Sequence, residues 1–129
     1  MNVNVEISIG EFFDKLTILE IKRERISDGA KLTNINNELD ALNALLETLP
    51  ISRNDVADEV AELKSINEKL WVIEDDIREK ERAKAFDEEF IELARSVYFT
   101  NDKRSDVKRA INVKLGSDFV EEKSYEDYQ

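Results

Sequence analysis

At 129 residues, 41% of them apolar, the chain has the length of one domain and enough apolar mass for a core, while thirty acids against nineteen bases leave it at net −11. That charge opposes non-specific binding to nucleic acid or to an anionic membrane. The lack of cysteine and histidine excludes disulfides, thiolate zinc sites, thiol nucleophiles, imidazole bases and imidazole-ligated iron.

Three glycines and one proline, in a chain rich in Leu, Glu, Lys, Ala and Ile, predict an all-α fold. The expected architecture is a single domain over residues 1–129, an elongated bundle of two antiparallel helical hairpins with a short extended N-terminus. The opening "MNVNVEISIGEFF" has no basic leader followed by an apolar run, and no window approaches about eighteen apolar residues, which predicts a soluble cytoplasmic protein without membrane insertion. Val3, Val5, Ile7 and Ile9 alternate with polar residues, the period of an extended segment over 1–8 that needs a partner, such as the same segment of a second copy. Ser8 and Glu11 form a capping-box pair, so a first helix is expected from Ile9 to about Ser27, stopped at Gly29.

A second helix follows from about Lys31 to Leu49, ended by Pro50, and completes a hairpin over 9–49. Ser52 is placed to cap a long third helix reaching about Ala83, with Val56, Val60, Leu63, Ile66, Leu70, Ile73 and Ile77 as its stripe. Such a helix outruns a compact domain, so it must project or pair with an equally long partner. A fourth helix starts near Phe86 or Asp87 and closes a longer hairpin over 52–115. Its phase puts Asn101, Arg104 and Lys108 in the middle of the apolar stripe. This predicts a break near Thr100–Asp102, where three capping residues stand together. Gly116 ends the last helix ahead of an acidic, aromatic tail over 117–129.

No residue set predicts a catalytic, cofactor or metal site. Glu74, Asp75 and Asp76 point about 100° apart on a helix and cannot converge on one ion. Glu74 with Arg78 and Asp76 with Lys80 read instead as solvated i, i+4 pairs, while Asp75 faces Trp71 and could help hold a ligand. Glu88, Glu89 and Glu92 match the first half of the E-E-x-x-E … E-x-x-D pattern of all-α nucleotide pyrophosphohydrolases, but no second half follows. In the first helix Phe12, Leu16, Leu19 and Ile26 form one stripe, and Ile18 and Ile21 point nearly the opposite way. That makes the helix either central or sandwiched in an oligomer, with Ile18 and Ile21 as a candidate homodimer interface. Asp14, Thr17 and Arg25 share that side and are expected to form a polar rim.

Charge is unevenly placed. From Arg95 to Lys114 there are six bases and two acids, net +4 in a chain of net −11. The expected counter-charge is the tail, with Asp118, Glu121, Glu122, Glu126 and Asp127 folding back, anchored by Phe119 and Tyr125. The sharper alternative is a phosphorylated small molecule, a sugar-phosphate or nucleotide-sugar, held by Arg95, Arg104, Lys108 and Arg109.

The runs "IGEFFDKLTILEIKRERI", "LWVIEDDIREKE", "FIELARSVYFTNDKRSDVKRAIN" and "EEKSY" resemble, over nearly the whole chain, a family of small bacterial proteins of unknown function whose members open with P-G-E-L-x-D-K-x-T-I-L-E-I-K. Ile9 stands where that pattern has proline, and Phe12 and Phe13 replace an aliphatic pair. The resemblance supplies no catalytic residue; it implies a setting near surface-polysaccharide and glycosyltransferase genes. The expected function is therefore a non-enzymatic helical interaction module, a homodimer through the first helix and the N-terminal segment, accessory to polysaccharide assembly. The alternative is an enzyme or binding protein for the phosphorylated ligand above.

Overall fold

The structure, a computed structural model, describes residues 1–120 and Glu122. Helix α1 (Ile9–Arg25) begins as its sequence dictates: the Ser8 hydroxyl accepts the Glu11 N–H at 3.1 Å. It ends earlier than expected, at Arg25, with the Ile26 N–H closing on the Lys22 carbonyl. The "SDG" turn starts the next helix rather than stopping this one. Asp28 accepts the Lys31 N–H at 3.0 Å, and Gly29 opens α2 (Gly29–Thr48) without a left-handed φ. An aspartate in the cap position outweighs a glycine that no tight turn requires.

After Pro50, Ser52 and Asp55 form a reciprocal capping box around one 3-10 turn (Arg53–Val56), which feeds α3 (Ala57–Arg82). A loop over 83–87, with Lys84 left-handed at φ 53°, leads to α4 (Glu88–Leu115), capped by Asp87 and closed by left-handed Gly116. The two long helices run for about 39 and 42 Å at 1.5 Å per residue.

Helix α4 is continuous through Thr100, Asn101 and Asp102, against the expected break. Arg104 and Lys108 do enter the packed stripe, but carboxylates of α1 meet them there, so the helix has no polar residues to expel by breaking. The third polar position, Asn101, stays exposed.

Helix α1 is central. Phe12, Phe13, Leu16 and Leu19 pack in one cluster with Ile35 and Leu39 of α2, Val60, Leu63, Ile66 and Leu70 of α3, and Val107 and Ile111 of α4. Ile21, on the other side, is 1% exposed within the single chain. Beyond this core the α3–α4 pair projects alone: the last buried residue of α3 is Ile73 and the first of α4 is Thr100. Residues 1–7 are exposed and form no strand, among the described residues, with Val3 and Val5 turned to solvent. Among the described residues, no helix is long and apolar enough to cross a membrane.

Candidate functional site

Two adjoining features occupy the junction of α1 with the root of the α3–α4 hairpin. The first is a buried polar cluster centred on Asp14, whose side chain is 2% exposed. Arg104 reaches it with two donors, Nε at 2.9 Å from Oδ1 and Nη2 on Oδ2, the forked geometry that suits a guanidinium and a carboxylate. The Asn67 amide of α3 donates to the same Oδ1 at 2.9 Å and to the Thr17 hydroxyl at 3.2 Å; that hydroxyl donates to the Asp14 carbonyl. Lys108 sits 2.6 Å from Glu11 and 3.8 Å from Asp14. One carboxylate thus ties three helices together, and each charge taken from water meets an opposite charge or an amide.

The cluster extends to the start of α1. The Gly10 N–H donates to Asn112 Oδ1 at 2.6 Å, and α4 passes so near that a Cβ on Gly10 would collide with the Lys108 carbonyl oxygen. Only glycine lets the two backbones approach this closely. The Asn112 Nδ2 group is buried and has no partner among the described residues.

The second feature is a groove of about 440 Å³ beside the cluster. Ile18, Ile21, Leu70 and the indole of Trp71 make its apolar side, and Asn67, Glu74, Asp75, Arg78, Asn101 and Arg104 its polar side. Trp71, Glu74, Asp75 and Arg78 share one face of α3 by their spacing of three and four. Arg104 and Asn67 belong to both features, so the buried cluster fixes two groups of the groove.

The residues singled out in the sequence fall in different places. Arg104 and Lys108 come together, and their counter-ions are Asp14 and Glu11 of α1. Arg95 lies exposed by Glu92, with its guanidinium 5.7 Å from the Phe99 ring, and Arg109 pairs with Glu122 at 2.6 Å. In the tail, Arg109 pairs with Glu122, the Ser117 hydroxyl accepts the Ile9 N–H at 3.4 Å, and Asp118 and Phe119 line a hollow with Ile7, Ile9, Pro50 and Leu115; Glu121, Tyr125, Glu126 and Asp127 lie outside the described residues. Asp14 and Thr17 are buried rather than on a rim, and Arg25 is exposed. Ile21 is covered by its own chain, while Ile18 is half-buried at the groove.

Glu74 pairs with Arg78 at 3.2 Å as expected. Lys80 turns from Asp76 to Asp87 and Glu89 at the hairpin end, 3.1 and 2.7 Å away, and both raise its pKa, Glu89 more strongly. Glu88, Glu89 and Glu92 line an open hollow of about 820 Å³ there, and among the described residues no three carboxylates are placed to hold a metal ion.

The sequence did carry a signal for the buried cluster. Two bases four residues apart in an apolar stripe require buried acids, and Glu11 and Asp14, three apart on a helix apolar on two sides, were the available match. Asn67 and Asn112 gave no comparable sign, since an asparagine beside an apolar stripe reads as surface until its partner is known.

The architecture defines an all-α bundle in which a central helix is locked by charge onto a long projecting hairpin. Residues 3–128 match the "Family of unknown function (DUF6165)", and the chain belongs to that family. No curated protein and no solved structure matches it.

Proposed function

We propose that the protein is a non-enzymatic helical interaction module that works as a homodimer through the projecting part of α3–α4. The observation carrying this reading is the uncovered apolar surface there: Phe86, Ile91 and Tyr98 are each 44% exposed or more. Ile91 and Tyr98 stand seven apart on one face of α4. Helices draw their stability mainly from tertiary packing, and between Ile73 and Thr100 this pair buries no residue fully. A second copy laid alongside completes a four-helix arrangement, and the exposed surface carries both signs of charge, as a self-complementary two-fold contact requires. Burial of Ile21 inside the chain accounts for the second apolar side of α1 without a partner, which moves the proposed interface from α1 to the hairpin. The exposed apolar residues of the N-terminal arm add a second contact.

Sedimentation velocity tests the reading. The wild type should sediment as a dimer at micromolar concentration, and Ile91→Asp with Tyr98→Asp as a folded monomer. A monomeric wild type throughout that range contradicts it.

A further inference from the structure

We propose that the groove between α1 and the root of the α3–α4 hairpin is a binding site for a neutral saccharide. Its volume of about 440 Å³ falls among small-ligand pockets, typically about 300–1,000 Å³. The charge of its walls selects the ligand class. Arg104 is already neutralised by Asp14, and Arg78 is flanked by Glu74 at 3.2 Å and Asp75 at 4.0 Å. A phosphate entering would meet those two carboxylates, and an organic cation would meet Arg78. A neutral ring meets no such penalty.

The distribution of groups fits a sugar ring. The Trp71 indole and Ile18, backed by the buried Ile21 and Leu70, offer an apolar surface for the C–H face of a pyranose. Asp75, Asn101 and Arg78 stand around it as planar acceptors and donors, able to bond hydroxyls that both donate and accept. Two further groups come pre-positioned: Asp14 holds the Arg104 guanidinium by two bonds, and Asp14 and Thr17 hold the Asn67 amide. Side chains fixed before a ligand arrives lose little freedom when it binds. A polar cluster built for stability therefore also presents a rigid wall to the groove.

Trp71 is the one tryptophan of the chain, so intrinsic emission reports on this groove directly. The test titrates the full chain with glucose, galactose, mannose, N-acetylglucosamine and their disaccharides, and with inorganic phosphate, glucose 1-phosphate and tetramethylammonium at matched ionic strength. The expected result is a saturable change with at least one neutral sugar, weakened about tenfold or more by Asp75→Ala or Asn101→Ala. Both positions are exposed, so these variants keep the fold. The same titration in the Ile91→Asp/Tyr98→Asp chain should give the same affinity, which separates this site from the proposed dimer. Saturation by phosphate or tetramethylammonium alone overturns the proposal. So does the absence of any saturable sugar response, or sugar binding unaffected by both alanine variants.

Discussion

The lower and upper halves of the α3–α4 hairpin are parts of the same two helices and similarly rich in charge, yet they use charge in opposite ways. At the root the pairs join different helices: Asp14 with Arg104, Glu11 with Lys108, Glu24 with Lys64, and Glu59 with Lys114. Toward the tip most pairs lie within one turn: Glu74 with Arg78, Glu79 with Arg82, Glu81 with Lys84, and Glu92 with Arg95. Root pairs bridge helices, and the buried ones around Asp14 specify which helix faces which, because a wrong docking would strand those charges away from water. The tip pairs inside α3 and α4 are satisfied by any straight helix and specify nothing beyond it, and Glu81–Lys84 serves only the turn after α3. The tip is left with a charged, partly apolar surface, and the root with a fixed wall.

Substitutions should show that contrast in order of size. The largest loss is expected at Asp14: Asp14→Ala leaves Arg104 and Lys108 near a buried gap and should cost about 3–5 kcal/mol in urea unfolding. Its tip counterpart, Glu74→Ala, should cost no more than about 0.5 kcal/mol. Equal losses at the two sites would erase the distinction. Next comes Gly10→Ala, where the new methyl must push α1 off the α4 backbone; about 1–3 kcal/mol is expected by the same measurement.

A smaller effect is expected when Asp75 and Asp76 are both changed to Asn. Asp75 is well exposed, and the pair should shift stability by less than about 1 kcal/mol while lowering sugar affinity through Asp75 alone. A large loss of stability would mean that the tip acids are structural.

Acid titration adds the finest test. At the tip, the Phe90 N–H and then Lys80 hold the Asp87 carboxyl below its ordinary value of 3.8. A lowered folded pKa means that its contribution is complete above the ordinary carboxylate range and disappears as pH falls through the lowered value. Asp87→Asn keeps a capping oxygen but does not titrate. Its melting temperature should fall less steeply than the wild type's below about pH 4. Parallel curves for the two chains would remove Asp87 from the acid response.

Much of the architecture was legible because it rests on local chemistry. Ser8, Ser52, Asp87 and Gly116 mark helix ends through bonds made within a few residues. The all-α class follows from composition and apolar spacing in the same way. Continuity of α4 was not legible, since Thr100, Asn101 and Asp102 are locally as good a cap as those that function; the deciding partner, Asp14, is ninety residues away along the chain. The same distance hid the candidate site. Trp71 and Asp75 could be paired from the α3 sequence alone, but the groove exists only because Ile18 and Ile21 of α1 and Asn101 and Arg104 of α4 arrive beside them.

Native-state hydrogen exchange along α3 and α4 tests the central contrast most directly. Amides from Val60 to Ile73 and from Thr100 to Asn112, where buried residues lie, should exchange only through global unfolding. Those between Asp75 and Val97 should exchange through much smaller openings in dilute solution, and slow as rising concentration pairs the hairpins. Uniform protection along both helices at the lowest concentration would contradict it, because the tip would then be as firmly held as the root without any partner.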